Sequence, residues 1–182
     1  MIHLVHGFNV SDGGKETTDK LRPYFESAGF EVADHDYGWI GLLGVRFLNG
    51  RIAKGVREKV KAGDIGVGHS NGCAILARAC DQGAPFKGLV LINPALNSDT
   101  VIPNVEWVHV YHTNHDSPVK LASWLPFHQW GDMGAEGFRG QDVRYTNFNL
   151  TDHIQGHSEI FQKLDVWGQV IVGNTLLGRN AG

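Results

Sequence analysis

The sequence predicts an α/β protein built on a single doubly wound, mostly parallel sheet of about six strands, with helices on both faces. Apolar runs of strand length alternate along the chain with segments of helical periodicity. One run, "GLVLIN", is continuously apolar, which is typical of a strand covered on both faces at the centre of a parallel sheet. Within the 182 residues there is no internal repeat, low-complexity tract or linker, so we expect residues 1–182 to form one domain.

The first half of the chain supplies three predicted strands and three predicted helices. "IHLVHG" is the first strand, and apolar residues then recur at helical spacing before Gly29: Leu21, Tyr24, Phe25 and Ala28. "FEVADHDY" is the second strand, and a longer helix ending near Gly63 follows from Leu43, Phe47, Ile52, Val56 and Val60. "DIGVGHS" is the third strand, and the helix after it is expected to end at Gly83.

The second half continues the alternation. "GLVLIN" and "VEWVHVYH" are the fourth and fifth strands, and "PVKLASWLPF" has a helical pattern. The segment "GDMGAEGFRG" has the composition of a glycine-rich surface loop. "VRYTNFNL" is the sixth strand, and we expect a final helix to run from about His157 into the 170s.

Composition excludes several classes of protein. The formal charge is only -3, without the clustered basic residues of a nucleic-acid binder, and no uninterrupted apolar run reaches the roughly eighteen residues of a membrane span. The start, "MIHLVHGF", lacks the basic segment, apolar core and cleavage site of a signal peptide, so we expect a cytoplasmic protein. Cys73 and Cys80 lie about 10.5 Å apart along a predicted helix, too far for a disulfide, and are expected to be buried thiols. Composition does not indicate an oligomeric state.

A five-residue motif lies between the third strand and the helix that follows it: Gly68-His69-Ser70-Asn71-Gly72. Glycines on both sides suit a very tight turn in which a serine adopts a strained backbone conformation with its hydroxyl exposed. The stretch resembles the G-x-S-x-G nucleophile elbow of the α/β-hydrolase family, which has this strand-turn-helix setting. The resemblance covers most of the chain and implies a minimal α/β-hydrolase fold without a large cap domain, in which Ser70 is the nucleophile.

Members of that family place an acid and then a histidine after the serine. Asp116 in "HTNHDSPVK" and His157 in "QGHSEIF" follow this order, and both come after predicted strands, at the edge where parallel sheets place their sites. The resemblance therefore implies that His157 is the general base and that Asp116 orients it. A serine hydroxyl is unreactive until an imidazole takes its proton, and that imidazole needs a carboxylate partner.

Other residues could fill these two roles. His153, beside Asp152, is the alternative base. Asp99, Asp132 and Asp152 are alternative acids, in which case Asp116 would serve as the N-cap of a helix that begins near Pro118.

An acyl-transfer site also needs donors for the oxyanion of the tetrahedral intermediate. The family resemblance assigns one donor to the backbone N–H of Asn71, after the nucleophile and at the positive end of a helix. The stretch "HGFN" after the first strand resembles the family's H-G-x segment, which assigns the second donor to the backbone N–H of Phe8. His6 is expected to hold this loop in place.

Three tryptophans, Trp39, Trp124 and Trp130, follow strands at the same edge and are candidate walls for the substrate, with core packing as the alternative.

Three histidines, His109, His112 and His115, occur at every third position. On a strand they cannot all face one side, so no metal site is expected. No cofactor is expected either. These observations predict an esterase- or lipase-like serine hydrolase that cleaves a carboxylic ester, as a small-molecule substrate, through an acyl-enzyme. The same residues would serve a thioester, amide or lactone, or acyl transfer, and a non-catalytic binding or sensing protein on this fold is the alternative from another class.

Overall fold

The computed structural model describes residues 1–7, 12–38, 42–116 and 131–180, and within these ranges it describes all side chains except those of residues 42–47. The described residues form a six-stranded sheet in the order β2-β1-β3-β4-β5-β6, and every neighbouring pair is parallel. The strands are β1 Ile2–Val5, β2 Val32–Asp34, β3 Ile65–His69, β4 Gly88–Ile92, β5 Trp107–His112 and β6 Tyr145–Asn149. The sheet that the sequence predicts is therefore confirmed, while the single-domain boundary of 1–182 stays a prediction.

Helices cover both faces of the sheet, as expected from its fully buried central strands. They are α1 Arg22–Ser27, α2 Leu42–Arg57, α3 Asn71–Asp81, α4 Met133–Glu136 and α5 Leu164–Asn180, with 3-10 turns at Thr18–Leu21 and Glu159–Gln162. Side chains of α2, α3 and α4 pack on one face against Leu89 and Val108, and those of α1 and α5 pack on the other face against Val90 and Tyr111. The alternation of side chains along β4 and β5 divides the core into these two layers.

Two elements differ from the sequence-based expectation, and one lies outside the described residues. Residues 131–140 are not a surface loop, because they contain α4, whose Met133 is fully buried and donates its backbone N–H to Leu96 O at 2.9 Å. The last helix begins at Leu164 rather than near His157. The carbonyl of His157 instead accepts hydrogen bonds from the side chains of His69, at the end of β3, and Asn93, directly after β4. The predicted helix "PVKLASWLPF" lies outside the described residues.

A buried histidine pair joins β1 to the segment after β2. His3 Nε2 donates to Asp64 Oδ2 at 2.9 Å, and His35 Nε2 donates to His3 Nδ1 at 2.8 Å. Burial, with the nearby charge of a protonated His3 and of Lys59, lowers the pKa of His35 to about 4. His35 is therefore neutral in the folded protein under conditions in which an unfolded chain would protonate it.

The two cysteines are free and buried, which confirms that they do not pair. Burial raises the pKa of both thiols, that of Cys80 to about 12, so each is a protonated core group rather than a reactive thiolate. Across the described ranges, no helix combines the length and the apolar character that crossing a membrane requires.

Candidate active site

The serine of the five-residue motif occupies a strained turn. Ser70 lies between the end of β3 and the start of α3 with φ 55 and ψ -121, a region that residues other than glycine rarely adopt. Its backbone N–H donates to Ile92 O at 3.0 Å, and its carbonyl accepts from Cys73 N at 3.1 Å and from Ala95 N at 3.2 Å. The turn is thus fixed by its own helix and by the neighbouring strand, which is what holds a strained residue in place.

The motif's two outer glycines serve close packing rather than the turn itself. A Cβ on Gly72 would lie 2.1 Å from Val5 O, and one on Gly68 would lie 2.9 Å from Cys73 N. Neither separation is possible for a real side chain, so any substitution would push α3 away from the sheet. Within the motif, the positive φ belongs to Ser70.

Ser70 as a whole residue is only 4% exposed. Gly7, after β1, lies against it: a Cβ on Gly7 would be 3.2 Å from the Ser70 Cβ. The segment that carries His157 covers the neighbouring residue His69. Ser70 therefore lies beside the segment that follows β1, and the residue before it contacts the segment of His157.

A buried carboxylate and a histidine meet at the same edge of the sheet. Asp116, after β5, is fully buried, and its Oδ1 accepts a hydrogen bond from His157 Nδ1 at 2.8 Å. The side chain of His157 is 16% exposed. A proton on Nδ1 leaves Nε2 as the basic nitrogen of the neutral ring. The hydrogen bond to Asp116 therefore holds the His157 ring in one tautomer.

The alternative bases and acids lie elsewhere. His153 is exposed and its ring lies beside Trp167, with ring centroids 5.6 Å apart. Asp99 and Asp152 are exposed, and Asp132 Oδ1 accepts from the backbone N–H of Ser98 at 2.7 Å. Among the described candidates, the structure brings together Asp116 and His157. The helix that Asp116 would cap in the other interpretation lies outside the described residues.

Asn71, the expected oxyanion donor, is the first residue of α3 and is fully buried. Its N–H is one of those that a helix leaves without an intrahelical acceptor, at the positive end of the helix dipole. Its side chain forms a reciprocal amide pair with Asn49 of α2, with N···O distances of 2.8 and 3.1 Å. This amide pair fixes the start of α3 to α2. Asn49 was not identified from the sequence.

The loop of the second expected donor is held at its base. Phe8 lies outside the described residues, but the carbonyl of Gly7 before it accepts from His6 Nδ1 at 2.8 Å and from the Tyr37 hydroxyl at 2.8 Å. The Tyr37 ring stacks on the His6 ring with centroids 4.0 Å apart, and its hydroxyl also donates to His6 O. Burial raises the pKa of Tyr37, so the hydroxyl remains a donor. These contacts agree with the expectation that His6 holds the loop.

The tryptophans proposed as substrate walls, Trp39, Trp124 and Trp130, all lie outside the described residues. His109 and His112 face opposite sides of the sheet, as expected for their spacing on β5. The His109 ring packs edge-on against Phe148, while His112 Nδ1 donates to Ala135 O at 3.4 Å on the face covered by α4.

Three residues near the pair were not assigned a role from the sequence. Asn93 and His69 donate to the backbone carbonyl of His157 at 2.6 and 3.2 Å. A Cβ on Gly134 of α4 would lie 2.7 Å from Asp116 Oδ2, so the absence of a side chain there lets α4 close over the carboxylate. The sequence could have identified Asn93 and His69 as site candidates, because each is a polar residue at the carboxyl end of an apolar strand.

No protein-family model matches the chain, and no curated protein gives a match. Among solved structures, the chain is similar to α/β hydrolase domain-containing protein 10 from mouse, with a TM-score of 0.65 at 14% identity over 97% of this chain and 88% of that one. It is also similar to a monoacylglycerol lipase of Paleococcus ferrophilus, with a TM-score of 0.61 at 16% identity over 97% and 94% of the two chains. An esterase of Pyrococcus furiosus gives 0.62 at 12% identity over 98% and 83%. The chain therefore has the α/β-hydrolase fold.

Proposed function

We propose that the protein is an esterase- or lipase-like serine hydrolase that cleaves a carboxylic ester, as a small-molecule substrate, through an acyl-enzyme. The observation that carries the proposal is the 2.8 Å hydrogen bond between His157 and the buried carboxylate of Asp116, at the sheet edge where Ser70 occupies its strained turn. The fold is shared with hydrolases, among them an esterase and a lipase. Strain at a serine and burial of a carboxylate both cost free energy, so their occurrence together favours a catalytic role.

In the proposed reaction, Ser70 Oγ attacks the acyl carbon while its proton passes to His157 Nε2. The oxyanion that forms accepts hydrogen bonds from the backbone N–H groups of Asn71 and Phe8. Collapse of the intermediate breaks the ester C–O bond, and His157 returns the proton to the leaving alcohol. Water then attacks the acyl-enzyme and gives a proton to His157. Collapse of this second intermediate breaks the bond between the acyl carbon and Ser70 Oγ, and His157 returns the proton to Oγ as the acid departs.

Asp116 has an electrostatic role in this scheme. Its carboxylate is fully buried, so its attraction to the imidazolium form of His157 is weakly screened by solvent. The same hydrogen bond keeps the proton of neutral His157 on Nδ1, which directs Nε2 away from the carboxylate. The chain's own groups supply base, orientation and oxyanion donors, and we propose no cofactor. A cytoplasmic location stays a prediction from the sequence.

Hydrolysis of p-nitrophenyl esters from acetate to decanoate tests the proposal. We expect turnover by the wild type and none above background by Ser70→Ala, with the dependence on chain length reporting the acyl preference. Ser27→Ala is the matched control, because Ser27 is an exposed serine of α1 whose hydroxyl donates to Tyr24 O at 2.8 Å. Equal rates for Ser70→Ala and Ser27→Ala would contradict the proposal. Absence of turnover by the wild type on esters, thioesters and amides alike would favour a binding protein on this fold.

A further inference from the structure

The backbone carbonyl of His157 is held by two side chains that come from the sheet. Asn93, directly after β4, donates from Nδ2 at 2.6 Å, and His69, the last residue of β3, donates from Nε2 at 3.2 Å. Both donors are buried, with Asn93 1% and His69 3% exposed. A carbonyl oxygen has two lone pairs, so both donors can bind at the same time.

The contact fixes which atom of each side chain is the donor. A carbonyl can only accept, so a reversed Asn93 amide would place two oxygens 2.6 Å apart. The same reasoning places the proton of His69 on Nε2. Burial lowers the pKa of His69 well below its usual range, and the nearby His157 lowers it further. His69 therefore remains neutral and in one tautomer.

The backbone at Asn93 is arranged to make this contact. Its φ is 42, a left-handed conformation that asparagine tolerates better than most residues, and its N–H donates to Tyr111 O at 2.8 Å on β5. His69 immediately precedes Ser70, and its ring lies against that of His157 with centroids 4.7 Å apart. The carbonyl of His157 is thus tied to the strand end that carries the serine and to the neighbouring strand end.

We propose that Asn93 and His69 are positioning residues that clamp the backbone of His157 and so aim its imidazole at Ser70. The inference rests on the proposed function. His157 is held at two points: Asp116 binds Nδ1, and the clamp, Asn93 with His69, binds the carbonyl. With the clamp removed, the ring can pivot about its hydrogen bond to Asp116. Misplacement of a catalytic group by about 1 Å can cost on the order of a hundredfold in rate.

Asn93→Gly removes the amide while keeping a residue that accepts positive φ without strain. We expect kcat on p-nitrophenyl acetate to fall by about tenfold to a hundredfold with KM within about twofold, because the position of the base matters in the transition state and not in substrate binding. Asn104→Gly is the matched control, since Asn104 also has positive φ, at 59, but is exposed in the segment before β5. Equal kcat values for the two folded variants would overturn the proposal.

His69 provides an independent test of the clamp. Glutamine can place an N–H near the position of Nε2, whereas leucine cannot donate. We expect His69→Gln to keep kcat within about threefold of wild type and His69→Leu to lose as much as Asn93→Gly. Equal losses in His69→Gln and His69→Leu would remove His69 from the clamp. If His69→Leu fails to fold by circular dichroism, the Asn93 and Asn104 pair decides.

A spectroscopic readout separates failure of the clamp from failure of the proposed function. The proton on His157 Nδ1, bound to a buried carboxylate, should give a downfield NMR resonance in the wild type and in Asn104→Gly. We expect this resonance to broaden or disappear in Asn93→Gly, because the ring gains freedom. If the wild type hydrolyses no ester but the resonance behaves in this way, the proposed function fails and the clamp stands. An unchanged resonance in Asn93→Gly contradicts the clamp whatever the activity.

Discussion

Replacing the buried carboxylate by an amide combines a large expected effect on rate with a small expected effect on the fold. Asp116→Asn preserves shape in a place with little room, because a Cβ on Gly134 would already lie 2.7 Å from Asp116 Oδ2. The amide oxygen can still accept from His157 Nδ1, but the amide carries no charge. Turned the other way, it would donate to the ring and favour the wrong tautomer of His157.

The magnitude follows from burial and distance. Asp116 is fully buried and lies 2.8 Å from His157 Nδ1, so its charge acts on the imidazolium without an intervening solvent layer. In serine proteases that use a Ser-His-Asp triad, the equivalent change lowers kcat about 10⁴-fold, which corresponds to about 5.5 kcal/mol of transition-state stabilisation. We expect a loss of that order here.

The assay is steady-state hydrolysis of one activated ester by four single variants, with circular dichroism to verify folding. Asp99→Asn, Asp132→Asn and Asp152→Asn are the matched controls, and each should lose about tenfold or less, since none of these side chains contacts the proposed base. A loss of less than tenfold in Asp116→Asn would refute the assignment of the acid. A loss of several orders of magnitude in one of the other three would transfer the role to that residue.

Three further predictions concern the base, the strained serine and the buried histidine pair. His157→Ala should lose nearly as much rate as a serine variant while His153→Ala stays within about threefold of wild type in the same assay, and the reverse result would move the base to His153. Ser70→Gly should be about 1 kcal/mol more stable than Ser70→Ala in urea unfolding, because glycine relieves the strain at φ 55 and ψ -121; equal stability would show that the turn is not strained. The free energy of unfolding should fall by roughly 3 kcal/mol between about pH 6.5 and pH 4. Over this range His35 is protonated in the unfolded chain, whereas in the folded protein it stays neutral because its pKa is lowered to about 4. His35→Gln should reduce this loss, and an unchanged pH dependence would contradict the role of His35.

The elements that the sequence predicted correctly are those governed by local patterns. The strand periods, the position of Ser70 in its turn, and the placement of Asp116 and His157 after strands follow from residues close together in the chain. The order of parallel strands then brings these positions to one edge, so that Asp116 and His157 meet although they are 41 positions apart in the chain. Local sequence patterns and the order of the strands were therefore sufficient to predict that Asp116 and His157 lie at the same edge of the sheet.

Other features depend on approaches between distant segments, which a single sequence does not encode locally. Gly7 lies against Ser70 because the end of β1 approaches the turn that follows β3. The amide pair of Asn49 and Asn71 depends on how α2 packs beside α3. The glycine-rich composition of residues 131–140 indicated a surface loop, but Gly134 is needed for α4 to approach Asp116. Composition alone does not distinguish these two uses of glycine.

Covalent labelling by a fluorophosphonate, followed by peptide mass spectrometry, tests the central claim most directly. An activated serine attacks phosphorus and expels fluoride, and the label stays on the nucleophile. We predict one label per chain on the peptide that contains Ser70, none on Ser70→Ala, and slow labelling of His157→Ala because the serine then has no base. Folded wild-type protein that takes up no label, or a label on another residue that persists in Ser70→Ala, would contradict the assignment of Ser70 as the nucleophile.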